Sequence, residues 1–266
     1  MKIWAVSNQK GGVGKTTTVV SLGSLLSEWG FRTLLVDLDP HGSLTSYFKM
    51  NPDEIEFGVY NLFQDTGQKK KNISPKPYIV KTRFEGLSVL PASTAIATLD
   101  RQVASLGGMG LVISNALKQV ADEFDYVIID SPPMLGILMI NALAACEHLI
   151  IPSLSEHLAL KGLERMLNTI QMVYKSKKIF SPYTIVPTIF DQRTNAAQES
   201  LTILRQKYPK HIWKSVIPVD TKIRDASVKG IPAPIYDPGS KAVEAYADLL
   251  ELLLHEKTED KKMAIN

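Results

Sequence analysis

Short, unbroken apolar runs alternate along this chain with longer stretches of helical periodicity. Ile3-Trp4-Ala5-Val6, Thr33-Leu34-Leu35-Val36, Leu87-Ser88-Val89-Leu90, Tyr126-Val127-Ile128-Ile129, Leu149-Ile150-Ile151 and the segment Tyr183 to Ile189 lack the in-out polar alternation of a half-solvated sheet. Runs of this kind suit strands buried on both faces. Between them, apolar spacing predicts a helix carrying Val19, Val20, Leu22, Leu25 and Leu26, and further helices over 111–124, 158–174, 196–208 and 241–254. The last has an apolar face of Val243, Tyr246, Ala247, Leu250 and Leu254. The alternation predicts an α/β fold, a doubly wound and mostly parallel sheet flanked by helices. Pro91 and Pro152 are expected to stop their strands. The stretch 51–74 reads as loop, and its Lys69-Lys70-Lys71 run as solvated, with a partner contact as the alternative.

The chemistry lies at the ends of the strands, where an open parallel sheet binds its ligands. The first runs into Lys10-Gly11-Gly12-Val13-Gly14-Lys15-Thr16-Thr17 and then a helix. Strand, glycine turn and helix together converge backbone N–H groups on a polyphosphate, at the positive end of the helix dipole. In such a loop Lys15 reaches the β- and γ-phosphates, and the Thr16 hydroxyl holds Mg²⁺. The second strand ends in Asp37-Leu38-Asp39-Pro40, and the fourth in Asp130-Ser131-Pro132-Pro133. Asp130 reads as the acid that holds Mg²⁺ opposite Thr16. Asp37 and Asp39 are further candidates, and the sequence does not divide metal-side and water-orienting roles between them.

Composition narrows the class. The 266 residues are 45% hydrophobic with mean hydropathy near zero, as expected of one globular domain over 1–254 followed by a polar, flexible tail over 255–266. Net charge is only +3, so any attraction to polyanions must be local. The single cysteine, Cys146, lies in an apolar run; it excludes internal disulfides and fits a buried position in a reducing cytoplasm. No apolar stretch reaches the ~20 residues of a membrane span, and the first is too short for a signal peptide.

A strict phosphate-loop pattern fails at its first position, where Gln9 replaces glycine, and a second lysine, Lys10, follows. The wording resembles the deviant Walker A box of the ParA/MinD family, SIMIBI-type P-loop NTPases. The resemblance extends over nearly the whole chain, through Asp37 to Gly42, Asp130 to Gly136, Thr188 to Thr194 and Val216-Ile217-Pro218. It implies a slow ATPase with ATP and Mg²⁺ as cofactors, stimulated by dimerisation and by a partner. Gly11, Gly12, Val13, Gly14, Lys15, Thr16 and Thr17 would cradle the phosphates. Thr16, Asp37 and Asp130 would serve the metal, and Asp39 would orient the attacking water. Lys10 would reach the nucleotide of a twin subunit, and Pro218, Val219 and Asp220 would contact adenine.

Departures from the family's wording bear on cargo. The stretch 201–241 holds eight Lys/Arg against three acids, which suits either a phosphate-tracking patch or a solvated basic face. Lys210, Lys214, Lys222 and Arg224 are its candidate DNA contacts. DNA-binding relatives carry arginines where Val219 and Gly239 stand here, which implies weak non-specific DNA binding. Asp39-Pro40-His41-Gly42-Ser43 replaces the usual Asp-Pro-Gln-Gly-Asn. That wording resembles the ParC-type relatives that position chemotaxis arrays at the cell pole through a ParP-like adaptor. Partition of DNA with a ParB-like stimulator is the alternative, and no membrane role is expected because the tail lacks a bulky amphipathic face. His41 itself reads as a turn residue, with a pH-sensitive switch as the sharper alternative.

Overall fold

In the computed structural model, which describes residues 1–99, 108–177 and 181–263, the strand runs form one seven-stranded sheet. Its strands are β1 (Lys2–Val6), β2 (Thr33–Asp37), β3 (Val80–Lys81), β4 (Leu87–Leu90), β5 (Tyr126–Asp130), β6 (His148–Leu154) and β7 (Tyr183–Thr188), in spatial order β3-β4-β2-β5-β1-β6-β7. All pairings are parallel except the antiparallel edge pair β3–β4.

The unbroken apolar runs reflect burial on both sheet faces. Along β1, Ile3 and Ala5 enter one core while Trp4 and Val6 enter the other. Along β5, Val127 and Ile129 alternate in the same way with Tyr126 and Ile128. Helix α1 (Lys15–Glu28) lies on the second face, and the C-terminal helix (Lys241–Met263) packs there beside it. At Gly23 of α1 a Cβ would stand 2.4 Å from Leu35 Cδ2. Glycine there costs about 1 kcal/mol of helix propensity but lets α1 lie close against β2.

Several boundaries differ from the sequence reading. β6 does not stop at Pro152 but runs on to Leu154. Its pairing with β1 ends at Ile150, so the missing Pro152 N–H faces a side where β1 has already turned away. The helix expected over 111–124 is Val112–Lys118, after a 3-10 turn at Met109–Leu111. Val120 and Phe124 keep the apolar rhythm because they are buried from turns, not from a helix. Inside the expected loop 51–74 stands a helix, Val59–Gly67, which buries Val59, Leu62 and Phe63; Lys69, Lys70 and Lys71 after it are exposed. The C-terminal helix continues to Met263, through most of the segment read as a tail, and 264–266 lie outside the described residues. Cys146 is buried as expected.

Candidate functional site

Between β1 and α1 the glycine loop is built to leave its amides uncovered. Gly12 and Gly14 adopt φ of +72° and +86°, the left-handed region that side chains avoid. A Cβ on Gly11, Gly12 or Gly14 would meet nothing within 4 Å, so the loop borders open space. Gly14 caps α1 with no side-chain hydrogen bond, leaving the first amides of the helix free for an outside acceptor. The loop is braced from behind. Val13 is buried, and its carbonyl accepts Thr188 Oγ1 at 2.8 Å. Thr18 Oγ1 donates to Gly14 O at 2.8 Å and lies 3.0 Å from the Tyr246 hydroxyl.

The open space is a cavity of about 560 Å³ at the C-terminal edge of the sheet. Gly11, Gly12, Gly14, Lys15, Thr16, Thr17 and Asp39 line one part of it. Ile217, Pro218, Val219 and Asp220 line another, with Ile189, Ile223, Arg224 and Tyr246. The structure therefore joins the phosphate loop, Asp39 and the adenine candidates in one site. Asp220 does so as a helix cap: its carboxylate accepts Lys222 N at 2.9 Å and Ala242 N at 3.3 Å, binding two helix starts together. Lys10 does not line the cavity; its Nζ lies 2.8 Å from Glu156 Oε2 on the outer shoulder.

The carboxylates divide by their partners. Asp130 Oδ2 accepts Thr16 Oγ1 at 2.6 Å, while its Oδ1 is buried without a hydrogen-bond partner. Burial, then the neighbouring Asp37 charge, pushes the Asp130 carboxyl well above the usual carboxylate range, against the pull of Thr16 and Lys15. Asp37, a metal-side candidate in the sequence, is held otherwise. Its Oδ2 accepts both Thr45 N (2.8 Å) and Thr45 Oγ1 (2.7 Å), and its Oδ1 accepts Asp39 N at 3.0 Å. It does not line the cavity, and burial raises it to about 6. In the structure it fastens the 39–45 segment through Thr45 and the Asp39 amide.

A hard divalent cation fits what is present. Thr16 Oγ1 and Asp130 supply oxygen donors beside the phosphate loop, and the buried, unpartnered Asp130 Oδ1 is the kind of atom a cation or its water would satisfy. Among the described residues no group of three or more His, Cys, Asp or Glu side chains could cage a metal alone. That suits an ion held largely by phosphates and water, as Mg²⁺ usually is.

The four basic candidates are split. Lys210 and Lys214 are exposed in the loop after helix Asn195–Lys207. Lys222 and Arg224 lie on helix Thr221–Lys229, where Lys222 Nζ stands 3.6 Å from Asp237 and Arg224 borders the cavity. Sequence reasoning missed Thr188, Ile223 and Tyr246 as parts of the site. Tyr246 carried only the signal of an apolar helix position, Thr188 only its place in a segment that resembles the family, and Ile223 none. No helix among the described residues is long and apolar enough to cross a membrane.

Comparison with known proteins agrees with this fold. A family model described as an AAA domain (AAA_31) matches residues 1–181. The sporulation initiation inhibitor protein Soj of Bacillus subtilis is 36% identical over 249 residues, 93% of this chain and 96% of Soj. The chromosome partitioning protein ParA of Myxococcus xanthus is 33% identical over 261 residues, covering 97% of this chain and 89% of ParA. Among solved structures, cobyrinic acid a,c-diamide synthase from Mycobacterium smegmatis, with bound ATP analogue and magnesium, is similar at TM-score 0.80 and 32% identity over 97% of this chain and 96% of that one. McdA of Cyanothece shares the fold at TM-score 0.81 and 23% identity, over 94% of this chain and 96% of that chain.

Proposed function

Because this chain belongs to the ParA/MinD family of P-loop ATPases, we propose that it is an ATP-driven, dimerising switch that partitions or positions a cargo in the cell. One observation carries the reading. Lys15, Thr16 and Asp39 line a single cavity, with buried Asp130 accepting the Thr16 hydroxyl behind it, while the second loop lysine, Lys10, stands outside the cavity.

ATP is the substrate of this reading. The free amides of the loop and of the α1 N-terminus surround its phosphates, and Lys15 neutralises them. Pro218, Val219 and Ile223 flank the base. Thr16 and Asp130 would hold Mg²⁺, which supplies charge neutralisation on the phosphates when bound. Asp39, fixed by its backbone bond to Asp37, takes the proton side of the attacking water. Phosphoryl transfer needs positioning and charge compensation more than covalent help. Lys10 supplies the last positive charge from a second copy, which ties hydrolysis to pairing. Unassisted turnover is then slow, about 10⁻⁴ to 10⁻² s⁻¹ in comparable switches.

The name of the chromosome partitioning protein ParA favours partition; on that reading the partners are weak non-specific DNA and a ParB-like stimulator, and the location is cytoplasmic or nucleoid-associated. The wording around His41 favours a second reading, a protein cargo such as chemotaxis arrays held at the pole through a ParP-like adaptor. Size-exclusion chromatography with light scattering tests the switch. The wild type pairs with ATP and not with ADP, Lys10→Ala stays monomeric, and Asp39→Ala accumulates as a loaded dimer. A wild type that stays monomeric with every nucleotide overturns the proposal. Fluorescent fusions separate the cargoes: nucleoid-wide signal supports partition, and fixed polar foci support the second reading.

A further inference from the structure

Asp39 has its backbone fixed and its carboxylate steered by a single side chain. Its N–H donates to Asp37 Oδ1 at 3.0 Å, and its carbonyl accepts Gly42 N at 2.8 Å, closing the 39–42 turn through left-handed Gly42 at φ +59°. Those bonds hold the main chain and leave the carboxylate free to rotate. Two contacts then reach Asp39 Oδ1, both from His41: the backbone N–H at 3.0 Å and ring Nδ1 at 2.8 Å. No described residue makes a hydrogen bond to Asp39 Oδ2. The His41 ring borders the nucleotide cavity with 79% of its side chain exposed, so packing does not account for its orientation.

We propose that His41 is the positioning residue of the water-orienting carboxylate. Its Nδ1–H donates to Asp39 Oδ1, sets the plane of the carboxylate and leaves Oδ2 as the oxygen presented to the water. A carboxylate only accepts hydrogen bonds, so the ring carries its proton on Nδ1 in this arrangement. The inference rests on the reading of Asp39 as the group that orients water. It adds where that group gets its direction. Hydrolysis depends steeply on such placement, because a base must hold its oxygen within about 2.6–3.2 Å of the proton it takes.

The His41 backbone bond survives substitution, so side-chain variants isolate the ring. Asparagine places an amide N–H near the position of Nδ1, alanine removes the donor, and phenylalanine keeps a ring without it. Steady-state ATP hydrolysis by the full chain is measured together with affinity for a non-hydrolysable analogue and thermal melting. His41→Ala and His41→Phe are expected to lose about tenfold in kcat, the scale of one hydrogen bond to a charged group. KM, analogue affinity and melting should stay at wild-type values, and His41→Asn should recover most of kcat. Wild-type kcat in both the alanine and phenylalanine variants overturns the proposal. So does a joint change of kcat, KM and melting that asparagine does not rescue, since that marks a role in folding the turn alone. Asp39→Ala serves as the control: if it hydrolyses ATP like wild type, the reading of Asp39 fails and His41 falls with it. If Asp39→Ala is dead while His41→Ala is unimpaired, only the inference about His41 fails.

Discussion

Asp37 and Asp130 are register partners on the adjacent parallel strands β2 and β5, and both are fully buried. Two carboxyls held side by side away from water cannot both ionise without strain on the apo protein. That arrangement places part of the cost of the site in the empty state, where a cation beside Asp130 would relieve it.

The first prediction concerns pH. Burial raises Asp37 from 3.8 to about 6 and Asp130 well above the carboxylate range. An acid with a raised folded value keeps a proton that the unfolded chain gives up. Stability therefore falls as pH rises from the unfolded value towards the folded one, and above the folded value the whole loss persists. Asp130→Asn removes one charge of the pair and keeps an acceptor for Thr16. Nucleotide-free Asp130→Asn should melt about 4 °C above wild type at pH 8, the size expected of 1–2 kcal/mol in a chain of this length. The gain should shrink towards pH 5, and the added stabilisation by Mg²⁺ with nucleotide should disappear. A constant difference across that range would mean the buried charges are not its source.

Lys10 gives the second. Its ion pair with Glu156 is solvent-exposed, with 35% and 61% of the side chains open, and pairs of that kind contribute about 0–1 kcal/mol. Its main chain is anchored more firmly: Lys10 N donates to Asn8 Oδ1 at 2.9 Å, and Asn8 Nδ2 to Pro152 O at 2.7 Å. The ammonium is thus free to leave a fixed base. Glu156→Ala should change ATP-dependent dimerisation by less than about threefold, whereas Lys10→Ala should abolish it. Sedimentation velocity with a non-hydrolysable analogue reads both. Equal losses in the two variants would show that the pair within one chain, and not a lysine lent to a twin, supports dimerisation.

A third prediction follows from how the segment after Asp39 docks on the base side of the cavity. Tyr47 Oη donates to Ile231 O at 2.9 Å, Lys49 Nζ to Val228 O at 2.7 Å and Arg83 to Gly230 O at 3.2 Å. These bonds satisfy carbonyls at and just past the end of helix Thr221–Lys229, the helix that carries Ile223 and Arg224 into the cavity. Tyr47→Phe keeps the ring and removes one tether. Isothermal titration should show nucleotide affinity about five- to tenfold weaker, the loss of one hydrogen bond of ~1 kcal/mol, with the oligomer distribution at saturating ATP unchanged. Wild-type affinity would mean the helix needs no help from the Tyr47 side.

Much of this was readable in the sequence, for identifiable reasons. Strands buried on both faces leave unbroken apolar runs, and glycines needed at positive φ leave a fixed spacing, so β1, the 10–17 loop and α1 were plain. Asp130 was legible because it ends such a run. The anchoring of Asp37 was not, since it depends on Thr45, eight residues away and without any motif. Tyr246 was hidden for a related reason: a hydroxyl on an apolar helix face looks like core until the helix docks beside Thr18. Helix Val59–Gly67 was lost among the Gly, Asn and Gln of its flanks, because tertiary burial of Val59, Leu62 and Phe63 outweighs local propensity.

The fourth prediction separates two uses of the basic stretch. Lys210 and Lys214 are exposed and outside the nucleotide cavity, so their charge is available to a phosphate backbone. Lys222 is already near Asp237, and Arg224 sits at the cavity rim. Each phosphate contact contributes about 0.9 to the slope of log affinity against log salt. With ATP present, Lys210→Ala/Lys214→Ala should lower that slope on random duplex DNA by about 1.8 and leave nucleotide affinity unchanged. Lys222→Ala should lower it by much less, and Arg224→Ala should weaken nucleotide as well as DNA. Fluorescence anisotropy across a salt series measures all three. A double variant with the wild-type slope would remove Lys210 and Lys214 from the DNA face and leave the excess charge of 201–241 as solvated surface.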